Sequence, residues 1–135
     1  MNAEIYIGLG GNLGNPPETF DRALEKISAF AEVQDISRLY RSMPYGFPDQ
    51  PDFLNAAVLL ATELEPLALL HALRGVEAEL GKVVARENGP RVIDLDLLLY
   101  GEEVCNSEEL TLPHPGIPER DFVLRPLQDL APELV

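Results

Sequence analysis

Between Gly89 and Gly101 the chain reads Pro90-Arg91-Val92-Ile93-Asp94-Leu95-Asp96-Leu97-Leu98-Leu99-Tyr100, and few folds accommodate that run. It is aliphatic and β-branched, opened by a Gly-Pro turn and closed by a glycine, which predicts a buried strand. Two carboxylates interrupt it at Asp94 and Asp96. Residues i and i+2 of a strand share a face, so both acids point the same way, roughly 7 Å apart at Cα. Ile93, Leu95, Leu97 and Leu99 then face a core. Aspartate is depleted in strands, and an unpaired carboxylate is costly to bury. Two arrangements offset that cost. The acids line the wet face of a half-exposed sheet with Arg91 as partner, or they hold a divalent cation. Mg²⁺ suits the second, being held by one or two carboxylates plus waters and phosphates.

The remainder of the chain supplies the neighbours of this strand. Glu4 to Leu9 alternates, with Ile5, Ile7 and Leu9 on one face, and predicts a first strand. It runs into the glycine-rich turn Gly8-Leu9-Gly10-Gly11-Asn12-Leu13-Gly14-Asn15. Asn15 is a good N-cap, Pro16 suits the first helical position and Glu18 completes a capping box. The helix continues through Phe20, Ala23, Leu24, Ile27 and Phe30. Val33 to Tyr40 is a second strand, followed by a loop with three prolines, Pro44, Pro48 and Pro51. Phe53 to Leu64 is a third strand, with Asn55 on the same face as Phe53 and Ala57. Pro66 opens a second helix that Gly81 ends. Lys82 to Asn88 is a polar connector. Glu102-Glu103-Val104 reads as a tight hairpin, Leu110 to Pro115 as extended, and Glu119 to Leu130 contains a short helix. The order β-α-β-β-α-β predicts one α+β domain over residues 1–135, a ferredoxin-like sheet with its helices on one face. The other face is left for Asp94, Asp96 and Asn55.

Charge narrows the partners. The net charge is −13, from 23 acids and 10 bases, a field that repels nucleic acid and anionic membranes. Eight of the ten bases are arginine, the better bidentate phosphate ligand. Cys105 stands alone, which excludes an internal disulfide framework and a cysteine-based zinc site. No apolar run is long enough for a bilayer and no secretory signal is visible, so a reduced, cytoplasmic setting is expected. Nothing demands a partner protein, and a monomer is expected.

The glycine loop is not a dinucleotide fingerprint, because Leu13 occupies the third glycine position and a strand replaces the second crossover helix. No Gly-Lys-Ser/Thr occurs, which removes a Walker A loop. These glycines are read as shaping a strand-to-helix turn. His114, between Pro113 and Pro115, is held extended with a donor nitrogen for an oxyanion. Arg91 either clamps a phosphate or neutralises the acids.

Taken together, Pro51-Asp52-Phe53-Leu54-Asn55-Ala56-Ala57 and Gly89-Pro90-Arg91-x-Ile93-Asp94-Leu95-Asp96 resemble the 6-hydroxymethyl-7,8-dihydropterin pyrophosphokinases of folate biosynthesis. The early Gly-x-Gly-Gly-Asn-Leu and the late Leu-Pro-His-Pro, with Arg120-Asp121-Phe122-Val123-Leu124-x-Pro126-Leu127, match the same family. The resemblance covers essentially the whole chain. It implies an ATP-dependent transferase that moves pyrophosphate from ATP to the hydroxyl of 6-hydroxymethyl-7,8-dihydropterin, releasing AMP. It implies that Asp94 and Asp96 bind two Mg²⁺ ions and that Arg91 and Lys82 join them in the catalytic set. Phosphoryl transfer of this kind rests on positioning and charge neutralisation. Asn55 would read the pterin edge, Phe53 and Phe122 would sandwich the ring, and Ser42, Pro44 and Tyr45 would complete the pocket. Glu77, Leu97 and Thr111 fall at positions near the nucleoside; Lys82, Arg86, Arg91, His114 and Arg120 fall at positions facing phosphates.

The chain departs from the family at the loop after the second helix. An Arg-x-Arg is replaced by Lys82-Val83-Val84, and an Arg-Trp by Glu87-Asn88. That loop is the family's lid over ATP, so weaker phosphate contacts and slower turnover are expected. Two rivals follow: a catalytically impaired pterin- or nucleotide-binding relative, and a regulatory module of the same fold. The second leaves the two aspartates and His114 unexplained.

Overall fold

A computed structural model describes residues 4–43, 49–81, 91–117 and 120–132. Among the described residues ten elements follow one another: β1 (Ile5–Gly11), α1 (Pro16–Ile27), β2 (Glu32–Ile36), β3 (Tyr40–Ser42), β4 (Phe53–Ala61), α2 (Pro66–Glu79), β5 (Asp94–Tyr100), β6 (Cys105–Asn106), β7 (Thr111–Leu112) and α3 (Asp121–Leu130). The main sheet runs β2-β4-β1-β5 with β3 also paired to β4, and each of these pairings is antiparallel. A separate ribbon joins β6 to β7. The fold is α+β.

Local chemistry explains the helix starts. The Asn15 side chain accepts the N–H of Glu18, and Pro16 takes the first helical position, where its missing N–H is no loss. Pro66 does the same for α2, which ends before Gly81 in a left-handed conformation at φ +88°. Alternation then sorts the strands. Ile5, Ile7 and Leu9 of β1, Ala56, Val58 and Leu60 of β4, and Leu95 and Leu97 of β5 form one buried cluster with Phe20, Ala23 and Ile27 of α1 and Leu69, Leu70, Leu73 and Val76 of α2.

Five expectations are corrected. The helices do not all lie on one face: α3 buries Leu127 against Tyr6 and Leu98 on the opposite side, with Val123, Leu124 and Leu130 packed around them. Its apolar stripe closes the lower half of the face that the sequence reading left open. Leu99 does not share a face with Leu95 and Leu97. β1 and β5 slip register between Tyr6 and Ile7, whose partners are Leu99 and Leu97, and this bulge turns Leu99 towards Leu98 and α3. The strand expected over Val33–Tyr40 is broken, because Ser37 takes over the pairing with Ala57. Its N–H donates to the Ala57 carbonyl at 2.9 Å and its hydroxyl accepts the Ala57 N–H at 2.8 Å. The third strand stops at Ala61 rather than Leu64, where the Thr62 hydroxyl donates to the Phe30 carbonyl at 2.6 Å and accepts the Leu64 N–H. The turn at Glu102–Val104 is present, but its following strand β6 pairs with β7 and not with β5.

Candidate active site

The face shared with α3 carries the polar residues. Gly10 of β1 stands opposite Asn55 on one side and Asp94 on the other; one step along, Gly8 stands between Ala57 and Asp96. Asn55 and Asp94 are therefore two inter-strand spacings apart, roughly 10 Å. Glycine keeps the ground between them flat: a Cβ on Gly10 would lie 3.2 Å from the Asn55 Oδ1. The sequence reading placed these glycines in a turn, whereas Gly8 and Gly10 are strand residues forming the floor of the site. A glycine inside a strand is itself a mark of close approach, and that signal was available.

On the β4 side, Asn55 is buried and its Nδ2 donates to the Ser42 hydroxyl at 2.9 Å, while Ser42 pairs in register with Phe53. Phe53 is half-buried at the start of β4. Phe122 is half-buried in the first turn of α3, with the Arg120 guanidinium 5.8 Å from its ring centre. α3 packs against β3, β4 and β1, so the two aromatic residues stand on elements in contact. Pro44, Tyr45, Lys82 and Arg86 lie outside the described residues, as do the lid departures at Val83, Val84, Glu87 and Asn88.

On the β5 side, Asp94 and Asp96 share the face, as alternation requires. Arg91 Nε lies 3.8 Å from Asp94 Oδ1. Burial pushes the Asp96 carboxyl above the usual carboxylate range; His114 opposes the shift and Asp94 adds to it. A pair of like charges, one of them desolvated, is a donor set that fits a hard divalent cation. Among the described residues no third His, Cys, Asp or Glu joins them, which leaves other positions of an octahedral ion to water and phosphate oxygens.

His114 is held beside this strand, its N–H donating to the Leu98 carbonyl at 2.9 Å. The N–H of Gly116 donates to His114 Nδ1 at 2.9 Å, so the neutral ring carries its proton on Nε2. A Cβ on Gly116 would lie 3.1 Å from that ring. The imidazole is thus set as an Nε2–H donor, a refinement no spacing argument supplies.

The remaining candidates are placed less directly. Glu77 is buried: its Oε2 accepts the Leu95 N–H at 2.7 Å and its Oε1 accepts from Arg74, whose Nη1 also donates to the Leu95 carbonyl at 2.8 Å. This pair on α2 covers the outer edge of β5. Leu97 is buried in the cluster beneath α1 and α2, so what it offers a ligand is main chain; by the antiparallel alternation its N–H and C=O face outward as those of Leu95 do. Thr111 and Arg120 are exposed.

Comparisons with known proteins show the family. The profile of the 7,8-dihydro-6-hydroxymethylpterin-pyrophosphokinase family matches residues 6–132. The chain is 45% identical over 132 residues to the 2-amino-4-hydroxy-6-hydroxymethyldihydropteridine pyrophosphokinase of Haemophilus influenzae, covering 96% of this chain and 82% of that protein. The enzyme of that name from Methylorubrum extorquens is also 45% identical over 132 residues, with 96% and 84% covered. The folic acid synthesis protein fol1 of Pneumocystis carinii is 47% identical over 135 residues, of which the chain spans 99% of its own length but only 18% of the fungal protein. This chain belongs to the 7,8-dihydro-6-hydroxymethylpterin-pyrophosphokinase family.

Proposed function

We propose that this protein transfers the β,γ-pyrophosphoryl group of ATP to the primary hydroxyl of 6-hydroxymethyl-7,8-dihydropterin, giving AMP and the pterin diphosphate for folate synthesis. The observation that carries the reading is one sheet face on which Asn55 and the Asp94–Asp96 pair stand on either side of Gly8 and Gly10. A pterin hydrogen-bonded at Asn55 places its side chain across a glycine floor towards a site built for charged oxygens. In the reaction the hydroxyl oxygen forms a bond to the β-phosphorus, the α–β bridging bond breaks towards AMP, and the hydroxyl proton leaves to solvent.

Asn55, with Ser42, Pro44 and Tyr45, orients the ring, and Phe53 and Phe122 hold its faces. Asp94 and Asp96 would hold two Mg²⁺ ions, whose chemistry is neutralisation and alignment of the triphosphate. His114 donates from Nε2 to a phosphate oxygen, alongside Lys82, Arg86, Arg91 and Arg120. Leu97 and Thr111 meet the nucleoside along the outer edge of β5, and Glu77 acts there by fixing that edge at Leu95. The sheet order supports a ferredoxin-like fold for the single domain. A monomer working in the cytoplasm completes the reading; among the described residues no helix is long and apolar enough to cross a membrane.

The test is AMP formation from ATP and Mg²⁺, with and without the pterin alcohol. Pterin-dependent AMP without ADP is the expected result. Pterin binding by fluorescence with no AMP would indicate an impaired relative, and neither binding nor AMP would leave only the fold.

A further inference from the structure

Asn12, at the end of β1, is 4% exposed and joins three parts of the chain that are distant in sequence. Its Oδ1 accepts the main-chain N–H of Arg91 at 2.9 Å. Its Nδ2 donates to the Pro51 carbonyl and to Gln50 Oε1, each at 2.9 Å. Main-chain bonds strengthen one of these links, since the N–H groups of Asn12 and Leu13 both donate to the Arg91 carbonyl, at 2.9 and 3.2 Å. Close approach is permitted by Gly11, where a Cβ would lie 2.6 Å from the Val92 carbonyl oxygen. An N–H can only donate and a carbonyl can only accept, so the Arg91 and Pro51 partners fix which way the Asn12 amide points. Aspartate keeps the acceptor and loses the donor; leucine keeps the shape and loses both.

The two ends of this clasp lead into the two halves of the site. Arg91 precedes Asp94 by three residues, and Pro51 precedes Phe53 by two and Asn55 by four. We propose that Asn12 is a positioning residue that sets the lead-in of the pterin strand at a fixed distance from the lead-in of the carboxylate strand, and so aligns the hydroxyl with the triphosphate. The inference rests on the pyrophosphokinase reading. Its physical basis is that transfer between two bound substrates is steep in their separation, about 100-fold for a misplacement near 1 Å.

Two substitutions separate the ends. Asn12→Asp releases Gln50 and Pro51 while keeping the Arg91 bond, and is expected to lower kcat at saturating substrates about tenfold and to raise the KM for the pterin alcohol, with the KM for ATP within about twofold. Asn12→Ala removes the three side-chain bonds but leaves the two main-chain bonds to the Arg91 carbonyl, so it is expected to lower kcat at least as far as Asn12→Asp and to raise the KM for ATP only about threefold. Hydrogen exchange provides an activity-independent readout: Asn12→Asp should speed the amides of residues 50–54 alone, and Asn12→Ala those of 50–54 and 91–93 together. Should Asn12→Ala not fold, Gln50→Leu cuts one donor link and is expected to raise the pterin KM about threefold. Lowered melting temperatures with kcat, both KM values and the local exchange rates unchanged would overturn the proposal. Wild-type protein that makes no pterin-dependent AMP would overturn the assigned reaction instead. The exchange pattern would then decide the clasp by itself, with uniform exchange across both segments overturning it.

Discussion

Asp96 is held where a carboxylate is costly, half-covered by the fold and next to a second acid, and its carboxyl is pushed up accordingly. Under the proposed function, a residue in that position weakens the empty protein in order to serve a ligand. Asp96→Asn is therefore expected to abolish AMP formation while raising the stability of the ligand-free protein by about 1 kcal/mol, roughly 3–5 °C in Tm. Calorimetry beside the AMP assay checks it, and a destabilised variant would contradict the reading of a strained site. The glycines make the opposite prediction. Gly11→Ala drives a Cβ into the Val92 carbonyl and is expected to destabilise by about 2 kcal/mol in a denaturant titration. Gly10→Ala crowds the Asn55 side chain at 3.2 Å and meets the Leu54 carbonyl at an ordinary 3.9 Å, and is expected to raise the pterin KM with little change in Tm. The aspartates were legible from a two-residue period. Asn12 was not, because its side-chain partners lie 38, 39 and 79 residues away and no local pattern encodes them.

α3 is the element whose position the sequence left unread. Its leucines show a helix, but a stripe of leucines does not say which side of a sheet it will cover. The structure supplies a polar anchor for that choice. Asp129 accepts from the Arg38 main chain and guanidinium at 3.0–3.2 Å and from the Tyr40 hydroxyl at 2.7 Å, tying the end of α3 to the connector before β3. The Arg38 hydrogen bonds, followed by that of Tyr40, hold the Asp129 carboxyl well below the usual carboxylate range. A carboxyl depressed in the folded state stabilises at pH values above its unfolded value near 4, and that contribution is lost as the pH falls. Asp129→Asn is thus expected to lower Tm at pH 7 and to differ progressively less from wild type towards pH 3. A gap that stayed constant with pH would show the contact to be steric. The bulge in β5 was equally invisible beforehand, since the run Leu97-Leu98-Leu99 is apolar on either face and a one-residue slip leaves no mark in it.

The whole chain carries a net charge of −13 and is expected to bind a polyanion, the triphosphate of ATP. The field opposes encounter with the nucleotide, so the few cations at the site do their work against the rest of the surface. Raising ionic strength from about 10 to 150 mM should shorten the range of that repulsion from about 30 to 8 Å. The KM for ATP, at fixed free Mg²⁺, is then expected to fall, the reverse of what a basic nucleotide-binding protein shows. A KM that rose with salt would mean that local attraction by Arg91, His114 and Arg120 outweighs the long-range field.

β5 is the last strand of its sheet, and an apolar last strand is where a second polypeptide adds itself and begins a fibril. The Glu77–Arg74 pair occupies the outward groups of Leu95 near the start of that strand, and the His114 N–H occupies the Leu98 carbonyl further along. Among the described residues Leu97 lies between these two covered points, a reach too short for an added strand. Covering these points of the border keeps a second chain from adding to it, and under the proposed function leaves the stretch at Leu97 to face the nucleotide.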